Sequence, residues 1–224
     1  MRPKVHQEKR ADDPVDNGTR PVRKSDQRKA SVEALMQVAR RQFIANGYLA
    51  TSVEEIGAGA GLSKGAVYFY FKGKANLLQA LINEAEHLIV DAAVEAVAEV
   101  EGSATAQLVA FLHAQSLSGQ RHAEWMMLLI LMSVELHGRG DETEEHLIAI
   151  NDRMKATLTA IVTAGKREGS FTKAVRTKEL VAVIFAVNQG CFLEWYRSGA
   201  ALDGQVLVRA LRATVLHGVL AQPE

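Results

Sequence analysis

Apolar residues recur at helical spacing along most of this chain. In the first such run, which starts at about Asp26, the apolar positions lie three or four residues apart, as on one face of a helix. They are Val32, Leu35, Ala39 and Phe43. Gly47 follows the run and suits the left-handed conformation that ends many helices. The pattern predicts a first helix that ends at Asn-Gly-Tyr, residues 46–48.

Two short helices are predicted next. Ser52 is followed three residues later by Glu55, the spacing of a capping box, so a second helix begins there and ends among the glycines that follow. Ser63 is placed to cap a third helix. Within it, Val67 and Phe71 lie four residues apart and are predicted to face the core.

The rest of the chain is predicted to be helical as well. A long fourth helix runs from about Lys74 to Glu101, because no Pro or Gly interrupts this stretch. Five more helical segments follow, separated by breaks rich in glycine, serine and charged residues: 104–118, 122–137, 142–168, 176–198 and 203–219. Nowhere does a two-residue alternation of apolar and polar positions persist between turn signals. The predicted fold class is therefore all-α.

The formal net charge is zero, with 26 basic and 26 acidic residues, but the charge is unevenly distributed. Up to Asn76 there are 14 basic and 8 acidic residues, a net charge of +6, and the remainder has 12 and 18, a net charge of −6. A basic module followed by an acidic one is typical of a protein whose first part meets a polyanion. Chance clustering is the alternative explanation.

The first 25 residues are predicted to form a flexible basic arm. Residues 1–24 contain three of the four prolines and no aromatic residue, so they bury too little apolar surface to offset their ordering entropy. Basic side chains cluster around the end of the arm: Arg20, Arg23, Lys24, Arg28 and Lys29. They either follow phosphates and an adjacent minor groove or only solubilise the chain, and both interpretations stay open.

Several classes of protein are disfavoured. Cys191 is the only cysteine, so neither an internal disulfide nor a multi-cysteine metal site can form, and a reducing cytoplasm is expected. The polar N-terminal segment does not have the pattern of a signal peptide. The longest apolar stretch, residues 125–136, is shorter than the roughly 20 residues of a membrane span. It predicts a buried helix and no membrane partner.

An enzyme is the main rival class. Glu142 and His146 lie four residues apart and could hold a metal, but this spacing is common by chance and the segment is typical of a solvated helix start. The sequence contains no recognisable nucleophile motif or phosphate-cradling loop. It therefore predicts no enzyme activity, no metal and no cofactor. A helical metal-dependent enzyme remains the least favoured alternative.

The second and third helices fit the spacing of a helix-turn-helix, with a turn at Gly61 and a close helix crossing at Gly57. The stretch GYLATSVEEIGAGAGLSKGAVYFYFKGKANLL, residues 47–78, resembles the DNA-binding region of the TetR family of bacterial transcriptional regulators. With the first helix, the resemblance covers about fifty residues. One departure is the pair Gly57 and Gly59 in the second helix, each of which costs up to about 1 kcal/mol of helix stability relative to Ala.

The resemblance implies a helix-turn-helix DNA-binding domain at residues 26–74 and a helical effector-binding and dimerisation domain at residues 75–224. It implies a homodimer paired through the last two long helices, which meets a palindromic operator in double-stranded DNA. The implied function is a ligand-responsive transcriptional regulator, namely a repressor that a small, largely apolar effector releases from DNA. A DNA-binding protein without a small-molecule effector is the alternative.

The third helix carries most of the predicted DNA contacts. Tyr68 is expected to project outward with Lys64 one turn before it, and Tyr70 to reach the duplex backbone. Phe69 is left open between contact with a thymine methyl and packing against the first helix. Small residues let the helix approach the major groove, while hydroxyls and lysines donate to phosphate. The predicted set is Thr51, Ser52, Ser63, Lys64, Gly65, Ala66, Tyr68, Tyr70, Lys72 and Lys74.

The C-terminal half is predicted to pair with a partner and to enclose the effector. Residues 176–197 are apolar nearly all the way round, which is typical of a helix buried on two sides, and residues 203–220 show near-heptad spacing. The pocket implied by the resemblance consists of Phe111, Trp125, Met126, Leu129, Met132, Phe185, Asn188, Gln189 and Phe192. For any single Met or Phe, plain core packing is the competing interpretation. Asn188, Gln189 and Glu194 are sharper candidates, because a polar side chain buried there needs a partner in the ligand or in the other subunit.

Overall fold

The computed structural model describes residues 24–220, and the predicted arm lies almost entirely outside this range. Within it the chain forms helices and no strand, which confirms the all-α prediction. The α-helices are α1 Lys24–Asn46, α2 Val53–Gly59, α3 Lys64–Phe71, α4 Lys74–Ala85, α5 Ala92–Ala98, α6 Ala104–Arg121, α7 Ala123–Glu135, α8 Glu142–Glu168, α9 Thr177–Ser198 and α10 Gly204–Val219. None of the helices between residues 24 and 220 combines the length and hydropathy that crossing a bilayer requires.

The ends of α2 follow the local sequence closely. Ser52 is the N-cap, and its hydroxyl accepts the N–H of Glu55 while the Glu55 carboxylate accepts the N–H of Ser52, so the predicted capping box is present. Ser63 occupies the N-cap position of α3, but its side chain makes no capping hydrogen bond, which corrects the expectation for that residue. Only the carbonyl of Ser63 takes part, by accepting the N–H of Ala66 at 2.9 Å.

The predicted fourth helix is continuous but not regular. A π-helical turn, Glu86–Asp91, separates α4 from α5, and the helix ends at Ala98 rather than at Glu101. Two carbonyls of this turn accept hydrogen bonds from side chains of α6. Gln115 Nε2 donates to Ile89 O at 3.2 Å, and Ser118 Oγ donates to Leu88 O at 3.5 Å. Contacts between helices therefore stabilise a turn that no Pro or Gly could have indicated.

The core is continuous from α1 to α10. On the apolar face predicted for α1, Leu35, Ala39 and Phe43 are fully buried and Val32 is half-buried. α1 packs against α4 and α7 as well as α2, so the N-terminal helices rest directly on the C-terminal ones. The apolar run at residues 125–136 makes up most of α7, and half of its residues are buried. This helix therefore links the N-terminal helices to the interior of the C-terminal half.

Candidate nucleic-acid interface and effector cavities

The corner between α2 and α3 depends on two glycines. Gly61 has a φ of +67°, a conformation that L side chains rarely adopt. A Cβ on Gly57 would lie 3.0 Å from the carbonyl carbon of Ser63 and 3.1 Å from the amide nitrogen of Lys64. The N–H of Leu62 donates to the Gly57 carbonyl at 2.8 Å and closes the turn. The helix-turn-helix geometry expected from the spacing is thus present in the backbone.

The outward face of α3 carries two exposed aromatic rings. Val67 is fully buried, whereas Tyr68 is 48% exposed and Phe69 is 76% exposed. Tyr70 is half-buried, and its ring meets the Phe69 ring edge to face at a centroid distance of 5.0 Å. Phe71 is also only half-buried, although the sequence pattern placed it in the core. The outward direction predicted for Tyr68 therefore agrees with the structure.

Phe69 is the residue that sequence reasoning left unassigned. Its ring does not pack against α1, because three quarters of its surface is exposed to solvent. The exposed Phe69 ring next to the exposed Tyr68 ring forms an apolar patch and is a candidate contact surface. The signal for it in the sequence was the run of three aromatics, residues 68–70, of which a helix can bury only part.

Lys64 is paired within the protein. Its ammonium contacts the carboxylate of Glu54 on α2, and both side chains are more than half exposed. The hydrogen bond from Lys64 lowers the pKa of Glu54, and the same hydrogen bond raises the pKa of Lys64. The ammonium also lies 5.9 Å from the centroid of the Tyr68 ring. Glu54 thus places a negative charge beside the cation and the ring that are candidates for DNA contact.

Two residues predicted to meet phosphate are used inside the protein instead. Thr51 is 2% exposed, and its hydroxyl donates to the carbonyl of Gly47 at 2.7 Å. Lys74 Nζ donates to the carbonyls of Tyr48 at 2.8 Å and Thr51 at 2.7 Å, and it lies over the Tyr48 ring. Burial lowers the pKa of Lys74. Both side chains hold the connection between α1 and α2, which corrects their assignment as free phosphate ligands.

The other predicted contact residues divide by exposure. Ser63, Gly65 and Lys72 are exposed, and Lys72 ends α3 in the left-handed conformation at a φ of +62°. Ala66 is half-buried. Ser52 is also half-buried, and its hydroxyl is already committed to Glu55. The exposed surface of α3 therefore consists of Tyr68 and Phe69 with a lysine toward each end of the helix.

The helix α7 is attached to α1 and to the loop after it at two places. Glu135 accepts the backbone N–H of Tyr48 at 2.9 Å and of Leu49 at 2.8 Å. Near the other end of α7, Arg40 pairs with Glu124 at 2.9 Å, and its guanidinium lies 4.1 Å from the centroid of the Trp125 ring. Sequence reasoning missed these contacts, because they join residues more than eighty positions apart.

Two small cavities lie in the C-terminal half. The α10 cavity lies between α6, α9 and α10, and the α8 cavity lies between the π-helical turn, α6, α7, α8 and α9. Each offers about 40 Å³ to a water-sized molecule, which is room for a few waters. Gln115, Met126 and Asn188 line both cavities and form the partition between them.

Six of the nine predicted pocket residues line these cavities. Met126 and Asn188 line both, Leu129, Phe185 and Gln189 line the α8 cavity, and Phe192 lines the α10 cavity. The other three do not. Phe111 and Met132 are fully buried in the core away from either cavity, and Trp125 packs beneath Arg40 beside α1. Their assignment to an effector site stays a prediction that these two cavities do not support, because apolar character alone does not separate a cavity wall from a core position.

The outer faces of α9 and α10 carry exposed apolar and small side chains. Leu180, Ile184 and Phe192 turn inward on α9, whereas Val183 and Val187 are exposed on the same helix. The exposed side chains of this kind are Ala182, Val183, Ala186 and Val187 on α9 and Val206, Ala210 and Ala213 on α10. Apolar residues on both sides of α9 were the basis for expecting a partner there.

The Glu142 and His146 pair does not form a site. His146 Nε2 lies 2.8 Å from Glu86 Oε2, so this imidazole joins α8 to the π-helical turn. Between residues 24 and 220, no cluster of three or more His, Cys, Asp or Glu side chains is arranged to hold a metal ion.

Comparison with known proteins shows that this chain is similar to bacterial regulatory proteins. A model of the family described as bacterial regulatory proteins, tetR family, matches residues 35–81. The MbdR regulator of Azoarcus sp. CIB is 38% identical, covers 85% of this chain and 100% of its own, and superposes with a TM-score of 0.77. A fatty acid metabolism regulator protein of Bacillus subtilis (strain 168) is 24% identical over 178 residues, which are 78% of this chain and 88% of the relative. The ketosteroid transcriptional regulator KstR2 of Mycobacterium tuberculosis, 19% identical with a TM-score of 0.72 over 85% of this chain and 95% of its own, shares the fold.

Proposed function

This chain belongs to the TetR family of bacterial regulatory proteins, and on that premise we propose that it is a ligand-responsive repressor that binds a palindromic operator as a homodimer. The observation that carries the proposal is the outward face of α3, where Tyr68 and Phe69 stand exposed between Lys64 and Lys72. The steric fit at Gly57 fixes the orientation of this face relative to α2.

The exposed face of α3 has the chemistry that a major groove requires. The Phe69 ring offers an apolar surface for a thymine methyl, and the Tyr68 ring adds a hydroxyl that can donate to a phosphate or a base edge. Lys64 and Lys72 supply the positive charge that phosphates attract. Gly65 has no side chain, so the start of α3 can approach the bases closely.

A second copy of this chain is the proposed partner of α9 and α10. Their exposed valines and alanines are the kind of apolar surface that a stable dimer buries. Packing these faces about a two-fold axis gives an isologous four-helix arrangement. The two α3 helices would then meet half-sites spaced by whole turns of DNA, which predicts a palindromic operator.

The effector is proposed to enter the two cavities beside α9. Their walls are mainly apolar, and relatives of this chain are named for fatty acid metabolism and for ketosteroids, which are largely apolar compounds. α7 contributes Met126 and Leu129 to the cavities and holds α1 and the following loop through Trp125 and Glu135. A ligand that shifts α7 therefore acts on the position of α3, with a coupling free energy of about 1–3 kcal/mol.

Selection of bound sequences from random double-stranded DNA tests the proposal. We expect a palindrome whose half-sites are about one or more helical turns apart. The variant Tyr68→Ala is the matched control, because it removes an exposed ring and leaves the buried residues of α3 in place. Recovery of no enriched sequence, or of the same sequence by the control variant, would contradict the proposed mode of DNA binding.

A further inference from the structure

We propose that the α8 cavity and the α10 cavity are two halves of one effector site, and that this site takes an apolar molecule whose buried polar group is an uncharged carbonyl or hydroxyl. The amide of Asn188 is the hydrogen-bond partner of that group. The inference rests on the proposed function, because it names the chemical class of the effector.

Asn188 is the polar side chain that points to a ligand. It is 7% exposed and lines both cavities. None of the hydrogen bonds described between residues 24 and 220 involves its side-chain amide, whose polar atoms stay accessible from the cavities, whereas the neighbouring amide of Gln115 donates to the carbonyl of Ile89. An amide that faces an apolar cavity without a protein partner needs a hydrogen-bonding molecule in that cavity, which in the liganded protein is the effector. The N–H₂ of Asn188 can donate to a carbonyl, and its oxygen can accept from a hydroxyl.

The walls exclude a charged group at this depth. Among the described residues, every side chain lining either cavity is uncharged. One cation in the same region, Lys155, lies over the Phe185 ring at 5.6 Å, but it is exposed and lines neither cavity. A carboxylate buried without a cation loses its hydration and gains no counter-charge. A ketone, ester, amide or alcohol needs only the hydrogen bond that Asn188 offers.

Met126 is the movable part of the partition. Its sulfur would lie 3.5 Å from a Cβ placed on Gly119, and Phe192 would lie 3.0 Å from the same Cβ, so the side chains of Met126 and Phe192 meet at that glycine. Methionine is unbranched and flexible, and it adapts to irregular shapes. Rotation of Met126 joins the two cavities, which are each too small for anything larger than a few waters.

Matched probes with one alkyl chain test the charge preference. Methyl decanoate, decanamide, decanol and decanoate differ in the polar group, and the last is ionised at about pH 7.5. Binding is followed by the melting temperature and by protection from alkylation of Cys191, the only cysteine, which lines the α10 cavity. In a Trp125→Phe background, the fluorescence of Trp195 in the same cavity wall gives a third signal. We expect the ester or the amide to bind at least about tenfold more tightly than decanoate.

Variants at Asn188 separate a binding role from a structural one. Asn188→Leu removes an unpaired amide at similar volume, so the unliganded protein should melt at a higher temperature while its affinity for the neutral probes falls about tenfold. Lys178→Gln, an exposed change on the same helix, and Lys155→Gln should leave the affinities of the neutral probes unchanged. A lower melting temperature of unliganded Asn188→Leu would assign the amide to the fold and overturn the proposal.

Three further results would overturn the proposal: equal or tighter binding of decanoate, dependence of probe binding on Lys155, or no signal from any neutral probe. Operator binding by the unliganded protein is measured separately. Loss of operator binding with intact probe binding contradicts the regulator function alone, and intact operator binding without probe binding contradicts this inference alone.

Discussion

The carboxylate of Glu135 accepts the backbone N–H of Tyr48 at 2.9 Å, across 87 positions of sequence. The same carboxylate accepts the next N–H, of Leu49. Glu135 is the last residue of α7, and Tyr48 lies in the connection that leads from α1 into α2. The helix that borders the α8 cavity therefore ends on the loop that precedes the helix-turn-helix.

Replacing Glu135 tests this attachment. Glu135→Gln leaves a single acceptor oxygen for two N–H donors, so we expect a loss of about 1–3 kcal/mol of stability and a melting temperature lower by several degrees. Operator affinity should fall with it, because the loop no longer fixes α2. Glu145→Gln, an exposed change on α8, is the control for the loss of one negative charge. Equal melting temperatures for the two variants would show that the attachment contributes nothing.

Glu54 is expected to restrain DNA binding. Its carboxylate pairs with Lys64 and repels phosphate, so Glu54→Gln should raise operator affinity several-fold at low ionic strength, with a smaller gain at high salt. Affinity is measured by fluorescence anisotropy over a series of salt concentrations. Glu99→Gln at the end of α5 changes the net charge equally at a distance from α3. An equal gain in operator affinity for both variants would show that the change in net charge alone causes the effect.

The exposed rings of α3 are expected to carry sequence specificity. Tyr68→Ala and Phe69→Ala should each weaken operator binding by at least about tenfold, with little change in melting temperature, because neither ring is buried. Leu49→Ala removes a comparably exposed apolar side chain outside α3 and serves as the control. Binding to operator and to shuffled DNA is compared for each variant. If Phe69→Ala still distinguishes operator from shuffled DNA as well as the unchanged protein does, sequence recognition depends on Tyr68 and its polar neighbours and not on Phe69.

Lys72 and Lys74 are expected to behave differently despite lying two residues apart. Lys72 is exposed, so Lys72→Ala should reduce the salt dependence of DNA binding by about one unit of slope. Lys74 donates to the carbonyls of Tyr48 and Thr51, so Lys74→Ala should mainly lower the melting temperature. Salt titrations of binding and thermal melts of both variants distinguish the roles. An unchanged melting temperature for Lys74→Ala would restore it as a phosphate ligand.

Glu144 makes stability depend on pH in the acidic range. Its carboxylate accepts the N–H of Gly140 at 2.6 Å and of Gly138 at 2.5 Å, and these hydrogen bonds lower its pKa below the ordinary value of 4.5. The stabilisation is therefore complete above pH 4.5 and is lost as the pH falls through the lower pKa of the folded state. Melting temperatures measured downward from neutral pH should fall less steeply for Glu144→Gln than for the unchanged protein. If the melting temperatures of the two proteins fall in parallel as the pH is lowered, the Glu144 carboxylate does not contribute to the pH dependence of stability.

Local signals explain why most helix ends could be predicted from the sequence. The Ser52 and Glu55 capping box and the left-handed Gly47 act within a few residues, and both lie where the spacing placed them. Exposure on α3 followed from helical periodicity, which correctly turned Tyr68 outward and Val67 inward. The outer boundaries of α6 to α10 were within a few residues for the same reason.

Features that depend on distant contacts could not be predicted in this way. Lys74 was expected to face DNA, but the carbonyls of a loop more than twenty residues earlier take up its donors. Phe111 and Met132 have the same apolar character as Leu129, yet only Leu129 lines a cavity. The π-helical turn and the Glu135 attachment leave no local pattern, since both depend on partners that the fold brings close.

The π-helical turn at Glu86–Asp91 also sets the angular phase of everything after it. The π-helical turn contains one residue more than an α-helical turn. The side chains of α5 are therefore rotated by about 100° from the directions that they would have if α4 continued without this turn. Deleting a single residue from this turn would let it close as regular α-helix and leave Ala93 and Val97 in their present buried directions, whereas converting the turn to α-helix without a deletion would redirect both. The packing of α5 thus depends on a one-residue count, and a one-residue deletion inside the turn is expected to be tolerated better than the same deletion in the regular part of α4 or α5.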